Sequence, residues 1–212
     1  SRLITFPIGT RVDRICPVAD KESLRRELQI AAPGLIVVSV GRLVDQKRVD
    51  WLVRAWEQVE AGAGDATLYV VGDGQERASL QALARKLGLQ RCVFVGYQAE
   101  GFRYLQAADL AVVTSLFEAP GLVALEAMAA GCPVVACAVD GLAENVEPEV
   151  TGKLVPPANP PALAAAILEL LRNPRRLADM GKQARHVVES RNSLPKILRK
   201  HFDLLQQIID AA

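Results

Sequence analysis

Two glutamates, Glu118 and Glu126, are spaced eight residues apart in a segment that could bind a ligand. The apolar run Leu110 to Thr114 predicts a buried strand ending just before Glu118, and a glycine-opened helix is predicted from Gly121 to Ala130. Glu118 would then lie in a polar turn at the carboxyl end of the strand, and Glu126 on the following helix. In an open parallel sheet, that edge is where ligands bind.

The start of this helix favours an anion. Its first amides, those of Gly121, Leu122 and Val123, lack partners inside the helix and are expected to point into the crevice, where the helix dipole also favours phosphate. Glu118 would repel a phosphate unless a polar group lay between them, and a sugar attached to a diphosphate supplies such a group. The alternative is that both glutamates are solvent-facing residues favoured by the dipole, and their spacing alone leaves both interpretations open.

Two cations follow an earlier apolar strand, Leu35 to Val40. The loop after it contains Gly41, Arg42 and Lys47, and loops at this edge of a parallel sheet converge. Arginine and lysine there could neutralise a diphosphate leaving group and so ease its departure. The alternative is an exposed loop with ordinary surface cations.

A glycine pair, Gly72 and Gly74, also lies between a predicted strand and a predicted helix. It resembles a dinucleotide fingerprint only superficially, because Arg77 replaces the third glycine and no acidic residue ends the next strand, Cys92 to Val95. A tight turn, or close approach of the backbone to a ligand, explains these glycines without NAD.

The composition argues against several other kinds of chemistry. Net charge is +1 and 5% of residues are aromatic, so nothing indicates nucleic-acid binding. His186 and His201, both in the helical tail, are the two histidines, which argues against zinc sites and histidine relays. No G-x-S-x-G elbow surrounds Ser115. The scattered cysteines predict free thiols in a reducing compartment: Cys16, Cys92, Cys132 and Cys137.

Strands and helices alternate along the chain, which predicts an α/β fold with a Rossmann-like parallel sheet and helices on both faces. Residues 1–20 are expected to form a lead-in with one short strand, residues 21–190 the Rossmann-like domain, and residues 191–212 a C-terminal helix. A loop is expected around Asp140 to Glu144, and Trp51, Trp56 and Met128 are expected in the core. Because the sequence starts at Ser1 in an apolar segment, we expect it to be part of a longer chain.

Membrane contact is limited to one candidate segment. No apolar run approaches the roughly 20 residues that span a bilayer, so a soluble, cytoplasmic protein is expected. The tail from Arg172 to Lys200 is rich in arginine and lysine. It is read either as a solvated helix face or as a surface attracted to the anionic inner face of a membrane.

Taken together, these segments resemble the C-terminal, donor-binding domain of family 4 retaining glycosyltransferases, which have the two-domain GT-B architecture. The matching segments, in order, are Val40–Lys47, Leu68–Gly74, Val93–Gly96, Ala107–Leu110, Glu118–Ala136 with its Glu-x7-Glu pattern, and Thr151–Val155. Gly9 also matches a segment that usually joins the two domains. The resemblance is close over residues 35–157 and looser elsewhere.

The resemblance implies a role for each candidate residue. Arg42 and Lys47 would hold the diphosphate of a UDP- or GDP-linked sugar, and Glu118 would contact the transferred sugar near its reacting carbon. Glu126 would bind the ribose hydroxyls. Backbone at Gly41, Gly72, Gly74 and Gly121 to Val123 would approach the donor, and the segment around Tyr97 would border the base. The family needs no metal or other cofactor, since cationic side chains and helix dipoles replace a metal.

Two departures from the family pattern leave other functions open. Ala119-Pro120-Gly121 replaces the usual Gly-Phe-Gly, and Asp140-Gly141 replaces a Gly-Gly pair. The acceptor-binding N-terminal half is also missing, so this domain is expected to turn over little or nothing alone. The alternatives are a catalytically silent nucleotide-sugar-binding module and a nucleotide-sugar 2-epimerase of the same architecture.

Overall fold

The computed structural model describes residues 8–30 and 34–210. The strands in these ranges are β1 Ile36–Val40, β2 Thr67–Val71, β3 Cys92–Gly96, β4 Leu110–Val113, β5 Val134–Cys137 and β6 Gly152–Val155. The helices are α1 Lys21–Glu27, α2 Val49–Ala63, α3 Arg77–Lys86, α4 Phe102–Ala107, α5 Leu122–Ala129, α6 Asp140–Asn145, α7 Pro160–Leu171, α8 Pro174–Arg191 and α9 Leu194–Asp210. A 3₁₀ turn, Asp45–Lys47, precedes α2.

The strands form one parallel sheet in the order β3-β2-β1-β4-β5-β6. The chain therefore runs outward from β1 to β3, returns to the centre at β4, and runs outward the other way to β6. The predicted Rossmann-like α/β fold is confirmed. The reversal of strand order lies between β1 and β4, so the loops after these two strands flank the crevice where such folds bind ligands.

Each face of the sheet carries its own apolar core, because strands buried on both faces place alternate side chains on opposite sides. Side chains of α4 and α5 pack on one face with the inner side of α8. The other face is covered by α2, α3 and α7. Trp51, Trp56 and Met128 are buried in these cores, as predicted. Both cores pack against β1 and β4 beneath the crevice.

The divisions of the helical tail follow from asparagine-proline pairs. The side chains of Asn159 and Asn173 accept hydrogen bonds from first-turn amides of α7 and α8, and a proline occupies the first turn of each helix. Both are standard helix starts. The asparagine side chain accepts a hydrogen bond from a first-turn backbone N–H, and proline has no backbone N–H that would need a partner. Helix α7 therefore ends before Asn173 and α8 begins at Pro174, while α9 begins at Leu194.

The structure corrects one local prediction and covers only part of another. Residues around Asp140 form the helix α6, so the predicted loop there is wrong. The strand predicted in residues 1–20 begins outside the described residues. Its described part makes only an isolated bridge, between Thr10 and Ser193, and Arg185 on α8 donates to the carbonyls of Val12 and Ile15. The described lead-in is therefore tied to the domain.

None of the helices in residues 8–30 and 34–210 combines the length and apolar character that crossing a bilayer requires.

Candidate functional site

The loops after β1 and β4 are held together at the switch point. The Leu116 amide donates to the Gln46 carbonyl at 2.8 Å, and the Thr114 hydroxyl donates to the Lys47 carbonyl at 2.9 Å. The Gln46 side chain donates to the Phe117 carbonyl at 2.9 Å. These contacts bring the two predicted loops together although they lie far apart in the sequence.

Lys47 and Glu118 form an ion pair inside this assembly. The Lys47 ammonium donates to Oε2 of Glu118, and the buried Ser115 hydroxyl donates to the same oxygen at 2.6 Å. The side chains of Lys47 and Glu118 are only 18% and 11% exposed. Sequence reasoning grouped Lys47 with Glu118 but missed Ser115. The only signal for Ser115 was its position three residues before Glu118.

Helix α6 fixes the loop that carries Glu118. The Glu118 amide donates to Asp140 Oδ2 at 3.2 Å, and the Gly141 amide donates to the Glu118 carbonyl at 3.2 Å. A Cβ at Gly141 would lie 2.2 Å from the Ala119 carbonyl oxygen, so this close approach requires glycine. The carboxylate at position 140 thus supports the Glu118 loop.

Arg42 and Lys47 line one cavity together with Thr114, Ser115 and Val123. Among the described residues, the Arg42 guanidinium has no hydrogen-bond or ion-pair partner and is exposed, whereas Lys47 is paired with Glu118. The structure therefore brings a free cation, a paired cation and the first turn of α5 to one cavity.

The entrance of α5 is open for an anion. Gly121 caps the helix with a left-handed φ of 59°, and the first hydrogen bond inside the helix is donated by Ala124 to Gly121. The amides of Leu122 and Val123 precede that bond, so they are available to a ligand. Asn145 on α6 donates to the Pro120 carbonyl at 2.9 Å and so supports this entrance.

The glycines after β2 hold the β1 loop by close backbone contact. A Cβ at Gly72 would lie 1.8 Å from the Gly41 carbonyl oxygen, and one at Gly74 would lie 2.3 Å from that of Leu43. The Gly41 amide donates to Val71 and the Leu43 amide to Asp73. Gly72 and Gly74 therefore act on the site through the loop that carries Arg42, and their direct contact with a donor stays a prediction.

Tyr97 lies at the mouth of an adjoining cavity. Gly41, Gly72, Asp73 and Gln98 line it with Tyr97, and Gly41 also lines the Arg42 cavity, so the two cavities share a wall. The Tyr97 side chain is largely exposed. Its position beside the Arg42 cavity suits the predicted border of a base.

Glu126 lies slightly apart from the other predicted residues. It does not line the Arg42 cavity, but it lies three residues after Val123, which does, and so on the same face of α5. Its carboxylate is half-buried and has no hydrogen-bond partner among the described residues. Burial raises the pKa of this carboxyl above its ordinary 4.5. An unpaired, partly buried carboxylate is suited to accept hydroxyl donors from a ligand.

Replacing Glu126 with glutamine is expected to stabilise the fold and, through the ribose contact that the family resemblance implies, to weaken nucleotide binding. Because the folded pKa is raised, the stability linked to this carboxyl is fully present below about pH 4.5 and is lost as the pH rises through the raised folded value. The gain in unfolding free energy over the wild type should therefore grow from acidic to neutral pH. Affinity for UDP or GDP should fall roughly tenfold, since hydrogen bonds to charged groups contribute about 1.5–3 kcal/mol.

Urea unfolding at several pH values and calorimetric titration test both halves of this expectation. Glu57→Gln, an exposed carboxylate on α2, serves as the control and should change neither quantity. A gain that is independent of pH would show that burial of the Glu126 charge is not its cause.

Thiol and metal chemistry lack support in the described residues. Burial raises the pKa of Cys92 and Cys132 to about 12 and that of Cys137 to about 11, which suppresses the reactive thiolate. The described cysteines are free thiols, as predicted. In residues 8–30 and 34–210, no group of three or more histidine, cysteine, aspartate or glutamate side chains is arranged to hold a metal ion.

Comparison with known proteins identifies a family. The profile described as "Glycosyl transferases group 1" matches residues 20–187. The GDP-mannose-dependent monoacylated alpha-(1-6)-phosphatidylinositol monomannoside mannosyltransferase of Corynebacterium glutamicum is 34% identical over 197 residues, which cover 87% of this chain and 51% of that protein. The chain spans about half the length of the curated relatives it matches.

Solved structures of the same architecture superpose closely. A sucrose-phosphate synthase from Thermosynechococcus elongatus has a TM-score of 0.86 at 36% identity, covering 98% of this chain and 53% of that one. HepE of Anabaena, solved in complex with UDP and glucose, has a TM-score of 0.84 at 28% identity, covering 93% and 55%. The two TM-scores show that both neighbours share the fold of this chain.

Proposed function

The chain belongs to the glycosyl transferases group 1 family, and from that premise we propose that it is the donor-binding domain of a retaining, metal-independent glycosyltransferase. The observation that carries this proposal is the meeting of Arg42, the Lys47–Glu118 pair and the open first turn of α5 at the switch point of the sheet. This arrangement offers positive charge and free amides to an anion beside a carboxylate that can accept sugar hydroxyls.

The donor is a sugar linked to UDP or GDP. A UDP-bound neighbour and a GDP-mannose-dependent relative support both choices. Arg42, Lys47 and the amides of α5 hold the diphosphate, while Glu126 binds the ribose. The segment around Tyr97, together with Gly41 and Gly72, borders the base.

The sugar departs through a cation-like state, and each element of the site favours that step. Arg42, Lys47 and the α5 dipole stabilise the diphosphate leaving group, as preorganised charges do at other transition states. Glu118 orients the sugar and favours its developing positive charge. In this proposal the sugar lies between the diphosphate site and the Glu118 loop. No metal or cofactor has a part in this scheme, so a chelator should leave activity unchanged.

The proposal is tested first by calorimetric titration of the chain with UDP and GDP, which should bind with a preference for one base. A longer chain carrying the preceding half should then transfer labelled sugar from the preferred donor in the presence of EDTA, with the anomeric configuration retained. Binding without transfer by the longer chain would instead identify the silent module, for which the altered Ala119-Pro120 is the supporting feature. Conversion of the donor alone would identify the 2-epimerase.

We propose that an acceptor-binding half precedes this chain in the longer protein and is the partner of α9. That helix presents an apolar face to solvent, formed by Leu198, Phe202, Leu205, Ile208 and Ile209, while Ile197 alone is buried on its inner side. Leu194 at its start bonds to Thr10 of the lead-in. The described lead-in therefore lies beside the start of α9, which supports docking of a preceding half on the exposed apolar face.

Replacing Phe202 with serine is expected to destabilise the longer chain but not the present one. In the longer chain the substitution removes a buried side chain, which is worth roughly 1.5–3 kcal/mol. Here the ring is 68% exposed and has little packing to lose. Thermal unfolding of both chains measures the difference, and Gln206→Ser on the polar face is the control. Equal effects in the two chains would contradict docking of α9 onto the preceding half.

Contact of the basic tail with an anionic membrane, at a cytoplasmic location, is a second proposed interaction. It has weaker support because many of these cations are neutralised. Arg176 pairs with Glu149 and Glu169, Arg185 with Glu189, and Arg191 with Glu147. Sedimentation with liposomes that contain or lack anionic lipid tests this interaction directly.

A further inference from the structure

The Lys47–Glu118 pair creates a competition inside the proposed donor site. The proposed function assigns Lys47 to the diphosphate and Glu118 to the sugar, yet in the structure each is the other's partner. A phosphate that takes the Lys47 ammonium must therefore either share it with Glu118 or displace that carboxylate.

The contacts around the pair favour displacement. Lys47 and Ser115 both donate to Oε2 of Glu118, so Ser115 keeps holding the carboxylate when Lys47 leaves. The Lys47 backbone is fixed by its bond from Thr114, but its flexible four-carbon stem can swing toward Arg42, which lines the same cavity. Both side chains have low exposure, so water screens their attraction only in part. The ion pair with Glu118 therefore opposes the binding of phosphate to Lys47.

We propose that Lys47 exchanges partners during donor binding: Glu118 holds it until a diphosphate takes it, and the released carboxylate then accepts hydroxyls of the sugar. Recognition of the sugar thereby depends on the diphosphate, which lowers the affinity of the site for free sugars. Ser115 is a positioning residue that keeps Glu118 in place during the exchange. This inference rests on the proposed function and adds an order of events to it.

The test compares UDP and GDP binding in the wild type, Glu118→Gln, Lys47→Met and the double variant. Titration followed by NMR reads dissociation constants into the millimolar range, so weak binding remains measurable. With Lys47 present, Glu118→Gln should tighten binding roughly fivefold or more, about 1 kcal/mol. In the Lys47→Met background the same change should have a clearly smaller effect. Glu27→Gln, which changes the charge equally and breaks the Arg103 pair far from the site, should have none.

A variant that keeps the negative charge at position 118 distinguishes release of Lys47 from simple repulsion between the Glu118 carboxylate and the phosphate. Glu118→Asp retains a carboxylate but shortens it, so it should also tighten binding if Lys47 is released, whereas repulsion between carboxylate and phosphate would be unchanged. Thermal unfolding checks that each variant is folded. If Glu118→Gln does not fold, Glu118→Asp replaces it in the comparison with the wild type.

Two results would overturn the exchange while leaving the proposed function intact. One is an equal or larger tightening by Glu118→Gln when Lys47 is absent, and the other is weaker binding by both Glu118 variants. Failure of the wild type to bind either nucleotide would reject the proposed function itself, and the exchange with it.

Discussion

Replacing Arg42 and Lys47 together by alanine is expected to weaken UDP and GDP binding at least roughly a hundredfold. In the proposed site each cation makes a charge-assisted contact to the diphosphate, and such contacts contribute about 1.5–3 kcal/mol. Arg42 should account for the larger share, because its guanidinium has no partner to give up among the described residues, whereas Lys47 must leave Glu118. Calorimetric titration of the double variant measures the loss.

The matched control removes the same two charges elsewhere. Arg85 and Lys86 are exposed neighbours at the end of α3, and their double alanine variant should bind as the wild type does. The loss of Lys47 also leaves Glu118 without its cation, so thermal unfolding must accompany the titration. Adding Glu118→Gln to the double variant removes that side effect. Unchanged heats in the folded variant would rule out the proposed phosphate site.

Replacing Gly72 with alanine is expected to lower the free energy of unfolding by about 3 kcal/mol or more and to abolish nucleotide binding. Two costs add here: a φ of 139° that side chains rarely adopt, and a Cβ 1.8 Å from the Gly41 carbonyl oxygen. The backbone can relieve the contact only by moving the loop that carries Arg42. Stability and binding should therefore fall together.

Gly88→Ala separates the two costs. Gly88 also has a positive φ, 70°, but a Cβ there meets nothing within 4 Å. It should lose about 1 kcal/mol from backbone strain alone and leave binding unchanged. Urea unfolding measures the stability of both variants, and titration measures their nucleotide affinity. Similar losses of stability and affinity at the two positions would contradict the role given to the Gly41–Gly72 contact.

The strands were predictable from sequence because both-face burial leaves a continuous apolar run. The strand predicted as Cys92 to Val95 is observed at Cys92–Gly96, and the strand predicted as Leu35 to Val40 is observed at Ile36–Val40. Helix α6 was missed because Asp140-Gly141 is a turn signal in local terms. The helix forms there because Leu142 is buried and Gly141 packs against the Ala119 carbonyl, and neither contact can be read from neighbouring residues.

The site residues were predictable as types but not as partners. The position of Arg42 and Lys47 after a strand, and of Glu118 before a helix, indicated a common edge of the sheet. The pairing of Lys47 with Glu118 and Ser115 joins loops far apart in sequence, so it depends on the fold. The glycines at 72 and 74 likewise suggested a ligand locally, although their close neighbours are the Gly41 and Leu43 carbonyls.

A crystal structure of the chain with its preferred nucleoside diphosphate tests the central claim most directly. We expect the diphosphate between Arg42, Lys47 and the amides of Leu122 and Val123, the ribose at Glu126, and the Lys47 ammonium moved from Glu118 to phosphate. A nucleotide bound elsewhere, such as the separate cavity between the start of α2 and α3 lined by Arg48 and Arg54, would contradict the account.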